Sequence, residues 1–300
     1  MVLFDRYTDS VLINIGINII VTLSLYFPLA VGQLSIAQVG FMAIGAHLAT
    51  VLTLHLHTPF AVALIAAALV PWLIGVAVGH FFRRLHGLIL ALATFALMEV
   101  VQVFFLNFPP TGGAQGMKGI PPLTELWQVW TAVLLLAVFF WRLRRSRIGR
   151  AMMAIKDDEL VASALGISVA RIKMLAFATG AAVAGIGGGF YAHYAQYIQY
   201  SDFGADKAMA ITTYAVFGGI NTWLGGMLGA AVLSYMPVIL QVFEHWRLEV
   251  HGAIILGVMA VRPQGVLEHG LIADLRVLWR RLRAAVTASG TSRVRGDHEH

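Results

Sequence analysis

The sequence predicts an all-α, polytopic membrane bundle of about eight to ten spans with a helix at its cytoplasmic surface. Two observations predict this class. The 300 residues are 59% hydrophobic and only 12% charged, whereas soluble domains carry about 25% charged residues. The apolar residues also form runs close to the ~20 residues that a bilayer-crossing helix needs. These runs are 11–29, 34–54, 60–82, 87–106, 127–141, 174–193 and 226–243.

The positive charges predict the orientation of the bundle. Seventeen of the 21 Lys and Arg residues fall in three stretches, 83–84, 142–173 and 262–295. Because Lys and Arg accumulate in cytoplasmic loops, these stretches are predicted to be cytoplasmic, and loops 107–125 and 194–207 external. The net charge of +6 therefore indicates membrane orientation rather than a nucleic-acid partner.

The first apolar run has neither a basic leader nor an A-x-A cleavage site, so we expect a retained membrane helix. The second run begins with a Gly-interrupted polar stretch, "GQLSIAQVGFMAIGAH". Its polar side chains could line a substrate cavity or belong to a tightly packed helix. The candidate pathway residues here are Gln33, Ser35, Gln38 and His47.

The fourth run contains an acidic residue, Glu99. A charge at mid-membrane costs about 3 kcal/mol on insertion scales, so Glu99 should face the bundle interior or be protonated. It is a candidate gate or pathway residue, and the alternative is a hydrogen-bonded structural carboxyl.

Small residues predict close helix contacts in the later runs. Ala181, Gly185 and Gly189 are spaced four apart on one helix face, the spacing that lets helix backbones approach within a bilayer. Runs 208–220 and 252–261 are short, and 216–229 is broken by Gly and Asn. Such breaks are tolerated where the backbone is protected by protein or lines a wet cavity.

The chain lacks the residues that most enzyme chemistry requires. It has no cysteine, no G-x-x-x-x-G-K-[ST] phosphate loop, and no H-E-x-x-H metal motif. We therefore expect no metal site, no bound cofactor and no catalytic residue in this chain.

The charged segment 149–167, "GRAMMAIKDDELVASALGI", follows a span on the predicted cytoplasmic side. It is long enough for one helix of four to five turns, with Gly166 as its stop. The apolar side of that helix would carry Ala151, Ala154, Ile155, Ala162 and Leu165. The segment could be a solvated connector or a docking helix for a soluble partner.

The same segment resembles the coupling helix of LivM-type permease subunits from branched-chain amino acid ATP-binding cassette importers. The matching positions are Gly149, Arg150, Ala151, Ala154, Ile155, Lys156, Asp157, Asp158, Glu159, Ala162, Ala164, Gly166 and Ile167. Further similar stretches are "GQLSIAQVGFMAIGAHLA", "TGGAQGMKGIP", "VFGGINTWLGGMLGAAVL" and "RPQGVLE". Gln102 departs from the Arg expected near Glu99.

The resemblance implies a function and a set of partners. The residues that would couple this chain to separate cytoplasmic ATPase subunits, which use ATP, are Gly149, Arg150, Ala154, Lys156, Asp157, Asp158, Glu159, Ala162 and Gly166. A second, related permease subunit would complete the membrane core, and a periplasmic binding protein would deliver the substrate. It implies a transmembrane permease domain over residues 1–270 in a bacterial inner membrane. Residues 271–300 are predicted to form a basic amphipathic tail on the cytoplasmic leaflet of the lipid bilayer.

Other functions stay open at this point. Within the same family the cargo could be leucine, isoleucine, valine, urea or a short amide. A sugar or autoinducer importer permease has the same broad fold. An ion-coupled secondary transporter that uses Glu99 and no ATPase is the alternative from another class.

Overall fold

The computed structural model describes residues 2–239 and Gly252. Ten α-helices make up most of this part of the chain. They are α1 (Val2–Leu29), α2 (Gln38–His55), α3 (Phe60–Phe82), α4 (Gly87–Asn107), α5 (Leu126–Arg145), α6 (Arg147–Asp157), α7 (Glu159–Ala164), α8 (Val169–Ala195), α9 (Ala205–Gly218) and α10 (Trp223–Ile239). Two two-residue strands, β1 (Met117–Lys118) and β2 (Tyr197–Ile198), complete the regular structure together with short 3₁₀ turns.

Six of the described helices are long and apolar enough to cross a membrane, namely α2, α3, α4, α5, α8 and the Tyr7–Leu29 part of α1. The prediction of an all-α polytopic membrane bundle is confirmed. The total of eight to ten spans stays a prediction, since most of the chain after Ile239 lies outside the described residues. The predicted segment 252–261 and the tail 271–300 lie there too.

Helix α8 occupies the centre of the bundle and packs against α1, α2 and α3. Ala181, Gly185 and Gly189 are all buried on it. A Cβ atom at Gly185 would overlap the backbone carbonyl oxygen of Ala67 in α3, and one at Gly45 in α2 would overlap the carbonyl oxygen of Gly185. Because Gly185 and Gly45 have no side chain, α2, α3 and α8 can approach this closely.

Helices α9 and α10 form an antiparallel pair beside α1. The turn between them begins at Gly219, whose φ of +116° lies where L side chains are strained. The Tyr26 hydroxyl donates to the carbonyl oxygen of Gly219 at 2.6 Å and also lies 3.0 Å from that of Ala215. The break predicted in 216–229 is thus real, and a side chain of α1 satisfies the backbone freed by it.

The two loops predicted to be external lie on one face of the bundle. Strands β1 and β2 pair antiparallel, with Met117 opposite Ile198 and Lys118 opposite Tyr197. This pairing joins loop 107–125 to loop 194–207. Two of the three basic stretches predicted to be cytoplasmic also lie on one face, since His86, which follows stretch 83–84, contacts Glu159 of stretch 142–173 at 3.3 Å. The charge-based assignment of the faces agrees with the way the chain folds.

The prediction of one continuous helix over 149–167 is wrong. Helix α6 ends at Asp157, and Asp158 has an extended backbone with φ −157° and ψ 115°. Its carboxylate accepts hydrogen bonds from the backbone N–H groups of Leu160 at 2.8 Å and Val161 at 3.1 Å. Asp158 therefore caps a second helix, α7, because a carboxylate at this position satisfies amides that have no partner inside the helix.

Candidate functional site

The cytoplasmic segment formed by α6 and α7 begins at a tight junction with α5. Ser146 caps α6 by accepting a hydrogen bond from the Gly149 N–H at 3.0 Å. A Cβ atom at Gly149 would overlap the carbonyl oxygen of Leu143. Glycine is thus required for α6 to turn back sharply under the membrane helix. Arg150 reaches the carbonyl oxygen of Arg145 at 3.0 Å and strengthens the same corner.

The face of α6–α7 that points toward the bundle is apolar and buried. Met152, Ile155 and Ala162 are at most 5% exposed and pack with Val31, at the turn between α1 and α2, and with Ala176 of α8. Ala154 is half-buried beside them. The segment is therefore in direct contact with both a membrane helix and the turn that leads into the polar start of α2.

A cavity of about 410 Å³ lies between α1, α5, α6 and the α9–α10 turn. Its floor is apolar and includes Met152 and Trp223, and its rim carries Lys156, Asp157 and Asn221. The Lys156 ammonium donates to the Asn221 side-chain oxygen at 2.9 Å. Burial lowers the pKa of Lys156, and the charge of Asp157 offsets part of that shift.

Glu159 connects α7 to two other elements. Its carboxylate accepts a hydrogen bond from Lys173 of α8 and lies 3.3 Å from the His86 ring in the α3–α4 loop. Lys173 is only 2% exposed. A buried ammonium is costly without a partner, so Glu159 is the group that allows Lys173 to lie there.

The water-facing side of α7 carries large apolar side chains. Leu160 is 82% exposed, Val161 56% and Leu165 73%. Leu165 was predicted on the same apolar side as Ile155 and Ala162, and that prediction is wrong: α7 ends at Ala164, and Leu165 is the exposed residue that caps it. Gly166 follows with φ +80° and ends α7, as its position predicted. Asp157 is exposed next to this apolar patch.

The candidate pathway residues in α2 and in the turn before it lie inside the chain's own bundle. Gln33, Ser35 and Gln38 are at most 4% exposed. Side-chain polar atoms of all three have no hydrogen-bond partner within the described part of the chain. His47 is 2% exposed and stacks on the Phe105 ring at 3.9 Å.

Glu99 lies on α4 and is half-buried. The hydrogen bonds and ion pairs found among residues 7–239 do not include its carboxylate. No hydrogen bond or ion pair within the described residues therefore links Glu99 to the candidate pathway residues of the second apolar run. Their role in a pathway stays a prediction.

Sequence reasoning missed a polar contact at membrane depth. Asn18 of α1 donates to the Asn14 side-chain oxygen at 2.8 Å and to the Ser234 hydroxyl of α10 at 3.0 Å. Two asparagines four residues apart inside an apolar run were the available signal, because amides in a membrane helix need partners. In residues 7–239, no group of His, Asp and Glu side chains could hold a metal ion.

An all-α membrane bundle with discontinuous helices and a charged segment at its cytoplasmic face defines a membrane transport permease. Comparison with known proteins supports the same class of protein. The family described as "Branched-chain amino acid transport system / permease component" matches residues 7–261, and the chain belongs to this family. It is a multi-pass protein of the bacterial inner membrane and a transport subunit.

Individual relatives carry more specific names. The chain is 27% identical to the high-affinity branched-chain amino acid transport system permease protein LivM of Salmonella typhimurium, over 86% of this chain and 67% of that protein. It is 34% identical to LivH of Escherichia coli K12, over 45% of this chain and 44% of that protein. The autoinducer 2 import system permease protein LsrC of Klebsiella pneumoniae is 30% identical, over 53% of this chain and 47% of that protein. No solved structure matches the chain.

Proposed function

We propose that this chain is one permease subunit of an ATP-driven importer for branched-chain amino acids. The chain aligns with relatives named LivM over most of its length, whereas its alignment with the autoinducer permease covers about half of it. Leucine, isoleucine and valine are therefore the first cargo to test. A second permease subunit related to LivH and a periplasmic binding protein complete the proposed assembly.

The docking site for the ATPase is the exposed face of α6–α7, and one observation carries this assignment. Leu160, Val161 and Leu165 form an apolar patch at the water-facing boundary of the membrane, beside the exposed carboxylate of Asp157. Exposed apolar patches with a polar rim mark protein–protein contacts. A cytoplasmic ATPase that covers this patch would supply the phosphate loop that this chain lacks.

The proposed coupling route runs from the patch into the bundle. A force on α7 reaches α8 through the Glu159–Lys173 ion pair and reaches the α1–α2 turn through Ile155 and Val31. A force on α6 reaches the α9–α10 turn through the hydrogen bond between Lys156 and Asn221. The segment thus contacts α8, the α1–α2 turn and the α9–α10 turn. A movement of the segment would therefore move these elements together.

The docking proposal predicts the effect of two substitutions on α7. Leu160→Glu combined with Leu165→Glu should reduce the ATPase that co-purifies with the importer by at least about tenfold, or about 1.4 kcal/mol. The reason is that two apolar side chains, which the docked ATPase would bury, become charged. No buried contact within this chain is removed. The measurement is the ratio of ATPase to permease after detergent extraction, with leucine uptake by the same cells.

Leu123→Glu provides the matched control. Leu123 is a 36% exposed leucine in the loop on the opposite face, and its replacement should leave the ATPase ratio unchanged. Equal ATPase recovery from the α7 double variant and from the control would contradict docking at α7.

Glu99→Gln separates the ATP-driven importer from an ion-coupled transporter. The amide keeps the size and hydrogen-bonding capacity of the carboxyl but cannot carry its charge. For an ATP-driven importer, leucine uptake should fall by no more than about twofold at any pH tested. The measurement is initial uptake over a pH series, with and without a protonophore. Loss of uptake together with loss of its pH dependence would favour proton coupling through Glu99.

A further inference from the structure

A connected file of polar side chains runs along one face of the bundle at membrane depth. At its centre, Asn18 bonds both Asn14 and Ser234. The Tyr194 hydroxyl of α8 donates to the Ser10 carbonyl oxygen at 3.1 Å and lies near enough to Asn14 to interact with its side chain. Tyr214 of α9 lies similarly near Ser234. We call these five residues, Asn14, Asn18, Tyr194, Tyr214 and Ser234, the polar strip.

The Lys207 ammonium lies near the external end of the polar strip. Tyr191, one turn before Tyr194 on α8, lies under the Lys207 ammonium, which is 4.8 Å from the ring centroid. Lys207 is half-buried at the start of α9, and the carboxylate of Asp202 lies near enough to interact with it electrostatically. A charged group of each sign therefore lies where the strip meets the external face.

The inner end of the strip leads to the cavity beside α6. Below Tyr214, the α9–α10 turn is held by Tyr26, and Tyr26 also lines the 410 Å³ cavity. The cavity rim there is Asn221, bonded to Lys156. The strip and the cavity together connect the external loops with the cytoplasmic segment α6–α7.

The exposure of the polar strip argues against contact with lipid. Asn14 is exposed on the surface of this chain, and Tyr194, Tyr214 and Ser234 are half-buried. Asn14 accepts a hydrogen bond from Asn18, and its own amide group is exposed on the surface of this chain. Lipid tails offer no partner for such groups, so polar side chains at this depth face protein or a water-filled space.

We infer that the polar strip on α1, α8, α9 and α10 lines the cargo route, with Lys207 at its external mouth and the cavity beside α6 at its exit. This inference rests on the proposed importer function and adds where the cargo travels. The ligand class is a small zwitterion with an apolar side chain. Lys207 and Asp202 suit its carboxylate and ammonium, and the apolar floor of the cavity suits its side chain.

The polar residues at the start of α2 and in the turn before it offer a competing route that the structure makes less accessible. Ser35 and Gln38 are fully buried between helices of this one chain. The polar strip, by contrast, lies on a face that a second permease subunit could share. A route between two subunits can open by their separation and requires no unpacking of either bundle.

Thiol labelling tests the route, because the chain has no native cysteine. Ser234→Cys and Val232→Cys would be made in the full importer complex in membrane vesicles, and a charged methanethiosulfonate reagent added. Val232 is 48% exposed on the same helix. Ser234→Cys should react at least about tenfold faster, because a thiol must ionise in water to be the nucleophile. Asn14→Cys against Leu12→Cys repeats the comparison on α1.

The outcomes separate the possibilities. Equal rates for the members of both pairs would overturn the inference and make the strip a dry contact between subunits. A Ser35→Cys variant that reacts faster than Ser234→Cys would also overturn it, in favour of the interior route. Labelling needs neither ATP nor uptake, so failure of the ATPase-docking proposal would leave this result unaffected. Slower labelling of Ser234→Cys when leucine-loaded binding protein is present is the further expected result.

Discussion

Gly185→Ala is expected to destabilise the bundle strongly. The added Cβ would overlap the backbone carbonyl oxygen of Ala67 and come within 2.7 Å of the Pro71 ring. A backbone carbonyl in a helix cannot move aside alone, so α3 and α8 would separate along their length. Overpacking of this kind costs about 3 kcal/mol or more.

The measurement for Gly185→Ala is the temperature at which the detergent-solubilised protein loses its monodisperse elution peak, together with its yield from membranes. Gly79→Ala is the matched control on α3. Its Cβ would lie 3.4 Å from the nearest atoms, which belong to Met174 of α8. We expect Gly79→Ala to change stability by no more than about 1 kcal/mol. Equal melting of the two variants would contradict a distance-setting role for Gly185.

Glu159→Lys is expected to detach α7 from the bundle. It leaves the Lys173 ammonium, 2% exposed, without its carboxylate and places a second cation beside it. Leaving one member of a buried ion pair unpaired costs about 3–5 kcal/mol. The expected result is rapid proteolysis within 157–167 and loss of the co-purifying ATPase, while the membrane helices stay inserted.

Two further variants isolate the ion pair as the cause. His86→Ala removes only the second partner of Glu159, a ring whose side chain is 60% exposed, and should cost no more than about 1 kcal/mol. The charge exchange Glu159→Lys with Lys173→Glu restores the pairing and should recover much of the protease resistance. A Glu159→Lys protein that resists proteolysis as well as the wild type would refute the anchoring role.

Much of the fold could be predicted because its signals are local. A long apolar run specifies a membrane helix through its own transfer energy, and clusters of Lys and Arg specify a side of the membrane. The stop at Gly166 needs only the residue that best tolerates φ +80°. The spacing of Ala181, Gly185 and Gly189 needs only helix geometry to place these residues on one face.

The internal structure of the cytoplasmic segment could not be predicted in the same way. Helical periodicity continues through Asp158, and only the capping bonds to Leu160 and Val161 show that the helix restarts there. Asp is a preferred capping residue, so the signal was present, but a helix interior also accepts an exposed Asp. Leu165 caps the short helix that this break creates and is exposed, although Ala162 in the same helix stays buried.

The sequence by itself determined that this protein is a polytopic membrane protein with a charged segment at its cytoplasmic face. Composition and periodicity act through solvent transfer, which each stretch of chain experiences independently of the others. Only the tertiary structure decided which polar groups meet: Glu159 with Lys173 and His86, and Asn18 with Ser234, 216 residues away. Such pairs depend on how helices pack, and inside a membrane packing selects partners by shape and hydrogen bonding because apolar burial no longer distinguishes one helix face from another.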